Sequence, residues 1–272
     1  MRWDPATRSL TFQMPRWVDL LNGRYRWLVR FVLLFVFVDL LMAFVDLPLS
    51  EAMRGLDPDL RLFFRHLTKL GDSKYWLVPL ALILPFVLAA RQAIEDASSR
   101  RMLNWMASAL LFAFVAIAAS GLFVDVLKII FGRTRPRLWE EEGLYGFAPF
   151  ALTDSLYKSF PSGHANTALA VAAVLACFWP RLRYLFLALA LPVAVSRVVI
   201  TAHYLSDVIV GGAIGWYSTF WLRSVFADKG WVFLRQGGRI RVRAPGQLLA
   251  ARLRIWLADH FHFREGARGR LP

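Results

Sequence analysis

Six apolar segments, at roughly residues 27–45, 75–90, 103–127, 161–179, 184–203 and 205–226, alternate with connections that carry most of the charge of the chain. A helix needs about 20 apolar residues to cross the hydrocarbon core of a bilayer, and it survives there because it satisfies its own backbone amides. The segments match that length, the second being the shortest. They predict an all-α polytopic membrane protein with about six transmembrane helices. At 57% hydrophobic over 272 residues and a mean hydropathy of +0.45, the chain is too apolar for an ordinary soluble domain.

The net charge of +14 raises nucleic acid as a partner, but the placement of the arginines points to the lipid bilayer instead. Arg2, Arg8, Arg16, Arg24 and Arg26 precede the first span, Arg91, Arg100 and Arg101 join spans two and three, and Arg181 and Arg183 join spans four and five. A further basic cluster follows the last span. By the positive-inside rule these segments are cytoplasmic, both termini included. The connections at 46–74 and 128–160 mix both signs and are expected outside. The simplest partition is a cytoplasmic segment 1–26, a membrane domain 27–226 and a basic cytoplasmic tail 227–272. The first apolar run lacks a small-residue cleavage site and is expected to stay as an anchor. Cys177 is the only cysteine, which excludes an internal disulfide or a zinc cluster of thiolates. Nothing in the sequence fixes an oligomeric state.

Three short segments stand at the outer ends of the predicted spans. In Lys128-Ile-Ile-Phe-Gly-Arg-Thr-Arg135-Pro136, the two outer cations are two helical turns apart, and Gly132 and Pro136 signal that the helix stops. Alone, they read as an edge facing solvent or headgroups. Pro161-Ser162-Gly163-His164 opens the fourth span; the free N–H groups of a helix start favour an anion, and His164 stands where it can donate a proton. Ser196-Arg197 is followed by His203 and, four residues on, Asp207. On a continuous helix that spacing lets the carboxylate orient the imidazole as the base-plus-orienter pair of an activated nucleophile. It serves equally as a local pair capping the sixth span.

Taken together, K-x6-R-P, P-S-G-H and S-R-x5-H-x3-D resemble the three-part signature of the type 2 phosphatidic acid phosphatase superfamily, with every fixed position met over residues 128–207. The resemblance implies an acid phosphatase/haloperoxidase-like helical core and a membrane lipid phosphatase that works through phosphohistidine, without metal or other cofactor. His203 is then the nucleophile, Asp207 its orienting carboxylate and His164 the acid that protonates the leaving oxygen. Lys128, Arg135, Arg197, the Ser162 hydroxyl and the Gly163 N–H would hold the phosphoryl oxygens. The expected substrate is a membrane lipid phosphate, with polyprenyl diphosphate, phosphatidylglycerophosphate, phosphatidate and lipid A as candidates, met at the outer face of a bacterial inner membrane. Transfer of the group to a second lipid, or mere binding of lipid phosphates, stand as alternatives.

Other features fall outside this pattern. Arg133 and Arg137 are read as solvating the outer loop, and Asp125 as a structural partner of Lys128. The segment 67–73 is expected to cover the site as a short interfacial element. Trp231-Val-Phe-Leu-Arg and Arg239-Ile-Arg-Val-Arg around Gly237-Gly238 predict a β-hairpin, and an Arg-rich amphipathic stretch at about 247–263 is expected on the cytoplasmic leaflet.

Overall fold

The computed structural model describes residues 2–4, 9–11, 26–151, 154–243 and 245. A short antiparallel pair, β1 (Arg2–Asp4) and β2 (Ser9–Thr11), precedes helix α1 (Arg26–Phe44). Helices α2 (Asp46–Arg54) and α3 (Pro58–Leu67) and a 3-10 turn (Thr68–Gly71) follow. Then come α4 (Lys74–Ala93), α5 (Ala97–Phe131), α6 (Pro136–Glu142), α7 (Gly163–Phe178), α8 (Arg183–Val199) and α9 (Leu205–Asp228). Strands β3 (Phe233–Gln236) and β4 (Arg239–Val242) close as the expected hairpin, with Gly237 and Gly238 both at positive φ in its turn. The amphipathic stretch at 247–263 lies outside the described residues.

Each of the six apolar segments becomes a helix, but not every one of these helices has by itself the length and hydropathy of a membrane span. Three helical stretches among the described residues, Pro58–Ala93, Ala97–Phe131 and Pro180–Val199, are long and apolar enough to cross a membrane, or four if α1 and α2, bent by 48°, act as one. The physical reason is visible in α7. It has only 16 residues, built largely from Ala, Val and Leu, and nearly all of them are buried. A helix enclosed by its neighbours meets protein on every side, so it is not held to the length of a helix in lipid.

That enclosure comes from small residues. A Cβ added at Gly211 would sit 2.2 Å from the Ser162 carbonyl oxygen, and one at Gly215 would sit 2.2 Å from that of Asn166. The Gly211–Gly215 step therefore lets α9 touch the backbone of α7, the close approach that small residues four apart permit. Ala165, Ala168, Leu169 and Ala172 of α7 continue the contact against Ala190, Val193 and Ala194 of α8 and Val208 of α9. At the far end Phe112 of α5 is completely buried among Phe178, Phe226 and Phe233, all edge-to-face, which ties the hairpin to the bundle. Packing α7 against α9 in this way places Pro161-Ser162-Gly163-His164 beside the start of α9, where Asp207 lies.

Candidate active site

Main-chain hydrogen bonds stitch the three signature segments together. Gly132 ends α5 in the left-handed conformation (φ 57°), and a Cβ there would collide with the Ala148 carbonyl, so this turn requires glycine. Beyond it the Arg133 carbonyl accepts from Ser159 N–H (3.0 Å), Arg135 N–H donates to the Leu156 carbonyl (2.8 Å), and Ser162 N–H donates to the Asp207 carbonyl (3.0 Å). The first segment is thus held to the second, and the second to the third. Ser162 caps α7 as its N-cap residue, with Oγ facing Ala165 N–H at 3.5 Å. The N–H groups of Gly163 and His164 are left in the unpaired first turn, as helix starts require.

The cations gather at that helix start. Lys128 Nζ would lie 3.2 Å from a Cβ at Gly163, so the glycine makes room for the ammonium, which also pairs with Asp125 at 2.8 Å as expected. Arg197, at the end of α8, donates from Nη1 to Thr68 Oγ1 (3.0 Å), while its Nε is buried without a partner. Arg135 Nε is likewise unpartnered, and burial draws that guanidinium below its usual pKa, with Asp207 opposing the shift. His164 lies within electrostatic reach of Arg197, His203, Asp72 and Lys128. The 3-10 turn at Thr68–Gly71 covers this group as expected of segment 67–73: Thr68 holds Arg197, and Gly71 sits against the His164 side chain, with only 3.0 Å for any added Cβ.

His203 departs from the sequence expectation in one respect. It is not on one helix with Asp207: α8 ends at Val199, and α9 begins at Leu205. The connecting loop folds back so that Ala202 N–H and His203 N–H both donate to the Arg197 carbonyl, with Thr201 at φ 53°. His203 Nδ1 then stands 2.8 Å from the Ser159 carbonyl and 3.6 Å from Asp207 Oδ2, the latter beyond a normal hydrogen bond. A carbonyl can only accept, so Nδ1 carries the proton and Nε2 keeps its lone pair. The orienting acceptor is the Ser159 carbonyl. Asp207 instead accepts from Ser159 Oγ (2.6 Å) and Tyr204 N–H (2.9 Å), setting the frame from which that carbonyl acts. Burial holds the His203 ring down at about pKa 4; Asp207 opposes this shift, and Arg135 and Arg197 add to it.

Arg133 is the residue the sequence reading misplaced. It is completely buried, not solvated. Nη1 donates to Asp207 Oδ1 (2.5 Å) and Ser206 Oγ (2.7 Å), and Nη2 donates to Asp46 Oδ2 (2.8 Å) and Tyr145 Oη (2.8 Å). The Tyr204 ring lies 4.6 Å from its guanidinium carbon. Asp46 closes the knot by accepting from Ser206 N–H (3.0 Å) and the Ser206 hydroxyl. Its neighbour Arg137, by contrast, is exposed and pairs with Glu141. The carboxylate partners of Arg133 come from α2 and α9, so no local sequence signal marked it.

Among the described residues, no group of three or more His, Cys, Asp or Glu is arranged to hold a metal ion. What converges here is two imidazoles and a set of fixed cations, chemistry suited to an anionic group with displaceable oxygens.

Comparison with known proteins points the same way. The family model described as "PAP2 superfamily" matches residues 109–231. The lipid A 1-phosphatase of Rhizobium johnstonii is 36% identical over 168 residues, 61% of this chain and 68% of the relative; that of Rhizobium etli is 34% identical over 168 residues, 61% and 72%. Among solved structures, LpxE of Aquifex aeolicus is similar with a TM-score of 0.46 at 23% identity, covering 66% of this chain and 95% of that one. The first transmembrane PAP2 type phosphatidylglycerolphosphate phosphatase from Bacillus subtilis gives 0.48 at 25%, covering 73% and 96%.

Proposed function

The chain belongs to the PAP2 superfamily and is a membrane lipid phosphatase of that type, and on that premise we propose that it hydrolyses a lipid phosphate through a phosphohistidine on His203. The observation that carries the mechanism is the 2.8 Å contact between His203 Nδ1 and the Ser159 carbonyl, which leaves Nε2 unprotonated and nucleophilic. Nε2 attacks phosphorus and the bond to the lipid oxygen breaks. His164 gives that oxygen its proton. In the second half, His164 takes a proton from water, the hydroxide attacks phosphorus, and the P–N bond breaks to release inorganic phosphate and free His203.

Charge builds on the phosphoryl oxygens in both transition states, and preorganised donors in a dry site stabilise it most effectively. Arg135 and Arg197 each keep a buried Nε without a partner among the described residues, and Lys128 stands against Gly163. We assign these groups, with Ser162, to the equatorial oxygens. Asp207 keeps the Ser159 carbonyl in place for His203. These fixed cations supply what a metal supplies elsewhere, so no metal enters the steps.

The substrate we propose is a lipid A type phosphate, because the curated relatives carry that activity in their names. The membrane domain is taken as residues 27–226, its six helices crossing an inner membrane with both termini cytoplasmic and the site outside. Phosphate release from lipid A, phosphatidate, phosphatidylglycerophosphate and polyprenyl diphosphate, in detergent with EDTA, tests both claims. The reading predicts turnover in EDTA, with lipid A favoured. Turnover that requires an added metal sinks the mechanism, and preference for another lipid sinks the substrate.

A further inference from the structure

Beside the site, a cleft of about 430 Å³ opens where α2 turns into α3, lined by Arg54, Arg61 and Arg65, with Asp59 as the one carboxylate on its wall. Arg61 and Arg65 are one helical turn apart on α3 and so share a face. The opposite face of that helix carries Leu60 and Phe63, both well exposed, as suits a helix lying in the membrane interface. Arg61 is half-buried against the bundle, whereas Arg65, also on the cleft wall, is exposed like Leu60 and Phe63.

The cleft is joined to the catalytic loop. Arg61 Nη2 donates to Thr201 Oγ1 at 3.3 Å. Thr201 is two residues before His203, so an anion held by Arg61 would stand on the order of 10 Å from phosphorus bound to His203. Arg54 is fixed from the other side by Glu140 through Nε at 2.7 Å. Its Nη2 and Arg61 Nε are buried and make no hydrogen bond, and Arg65 forms no ion pair among the described residues. Unsatisfied buried donors are costly, and guanidinium groups are shaped to grip phosphate or carboxylate through paired N–H donors.

We infer that the Arg54–Arg61–Arg65 cleft binds a second anionic group, phosphate or carboxylate, carried by the same lipid whose phosphate is attacked at His203. This rests on the phosphatase reading above, which it sharpens: the preferred substrate is a lipid with two anionic groups about 10 Å apart. A phosphate on a neighbouring lipid offers the same chemistry, and only the substrate's own group makes turnover depend on substrate structure.

The test compares a synthetic diacyl glycoside bearing two phosphate monoesters with its counterpart lacking the remote one, using the full chain in neutral micelles. Wild type is expected to favour the bisphosphate about tenfold in kcat/KM, the effect of roughly one well-placed ionic contact. Arg54→Gln/Arg65→Gln should raise KM for the bisphosphate until the preference falls to about twofold, leaving kcat and the monophosphate constants in place. Arg65→Gln alone, at a side chain with no ion pair among the described residues, should give a partial loss and guards against misfolding of the double variant. Binding of the glycoside that keeps only the remote phosphate should weaken about tenfold in the double variant. That arm reads the cleft even if neither lipid is turned over, so failure of the phosphatase reading and failure of the cleft are separable. Equal wild-type constants for both lipids, an equal fall in kcat for both, or a preference that follows added phosphatidylglycerol instead of the remote phosphate would overturn the inference.

Discussion

Arg133 and Arg135 leave the end of α5 two residues apart, and the molecule treats them in opposite ways. Arg133 is enclosed with two carboxylates, a serine and two tyrosines, and only its Nε lacks a partner. Among the described residues Arg135 meets no carboxylate directly, and burial lowers its pKa with Asp207 opposing from a distance. Arg197 shares that condition, with one hydrogen bond to Thr68. The cost of a buried charge is thus met inside the protein around Arg133 and left unmet around the helix start at Ser162. The first arrangement builds the site, and the second, in the function proposed above, is completed by the substrate's phosphate.

The comparison breaks if the two kinds of arginine respond alike to removal. The largest effect is expected at Arg133→Gln, which strands the Asp46 and Asp207 carboxylates in a dry interior. A loss of about 3–5 kcal/mol of stability is expected, as for other buried pairs cut on one side, visible as a large drop in Tm in detergent together with lost activity. Arg197→Gln should behave in the opposite sense: activity falls about 10²–10³-fold, as when one transition-state donor is removed, while Tm holds or rises.

His164→Ala sharpens the same contrast through the leaving group. A positioned acid is worth about 10²–10⁴-fold, so the variant should lose that much on a lipid monoester and much less on an activated aryl phosphate, whose oxygen departs as a stable anion. The smallest effect is on titration. His203 titrates at about 4 when folded and near its usual value of 6.5 when unfolded. Between those values the unfolded chain binds the proton and the folded one does not, so stability is complete above about 6.5 and declines as pH falls toward 4. The His203 ring should therefore show neutral NMR shifts at pH 5.5, and Arg135→Gln should move its titration upward, since Arg135 is one cause of the depression.

Much of this was legible in the sequence, but unevenly. The helices followed from apolar length, and the hairpin followed from Gly237-Gly238 between alternating strands. The segment at Thr68–Gly71 was placed over the site without its contacts, since spacing does not say that Thr68 meets Arg197. At α7 length and hydropathy do not decide the span number, because a helix wrapped by other helices is not held to the length of one in lipid. Sequence spacing also suggested a helical His203–Asp207 pair, whereas the helix breaks between α8 and α9 and the Ser159 carbonyl takes the partner's place. Arg133 was misplaced for a related reason. Its partners Asp46 and Asp207 lie 87 and 74 residues away, so no local pattern separates it from exposed Arg137.

The central claim is that His203 Nε2 carries the phosphoryl group. Rapid quench with ³²P-labelled lipid phosphate, followed by peptide mapping, tests it most directly. The account predicts an acid-labile, base-stable phosphopeptide containing His203, accumulating in His164→Ala if hydrolysis is the slower step and absent in His203→Ala. Label on His164, or full lipid turnover by His203→Ala, would contradict it.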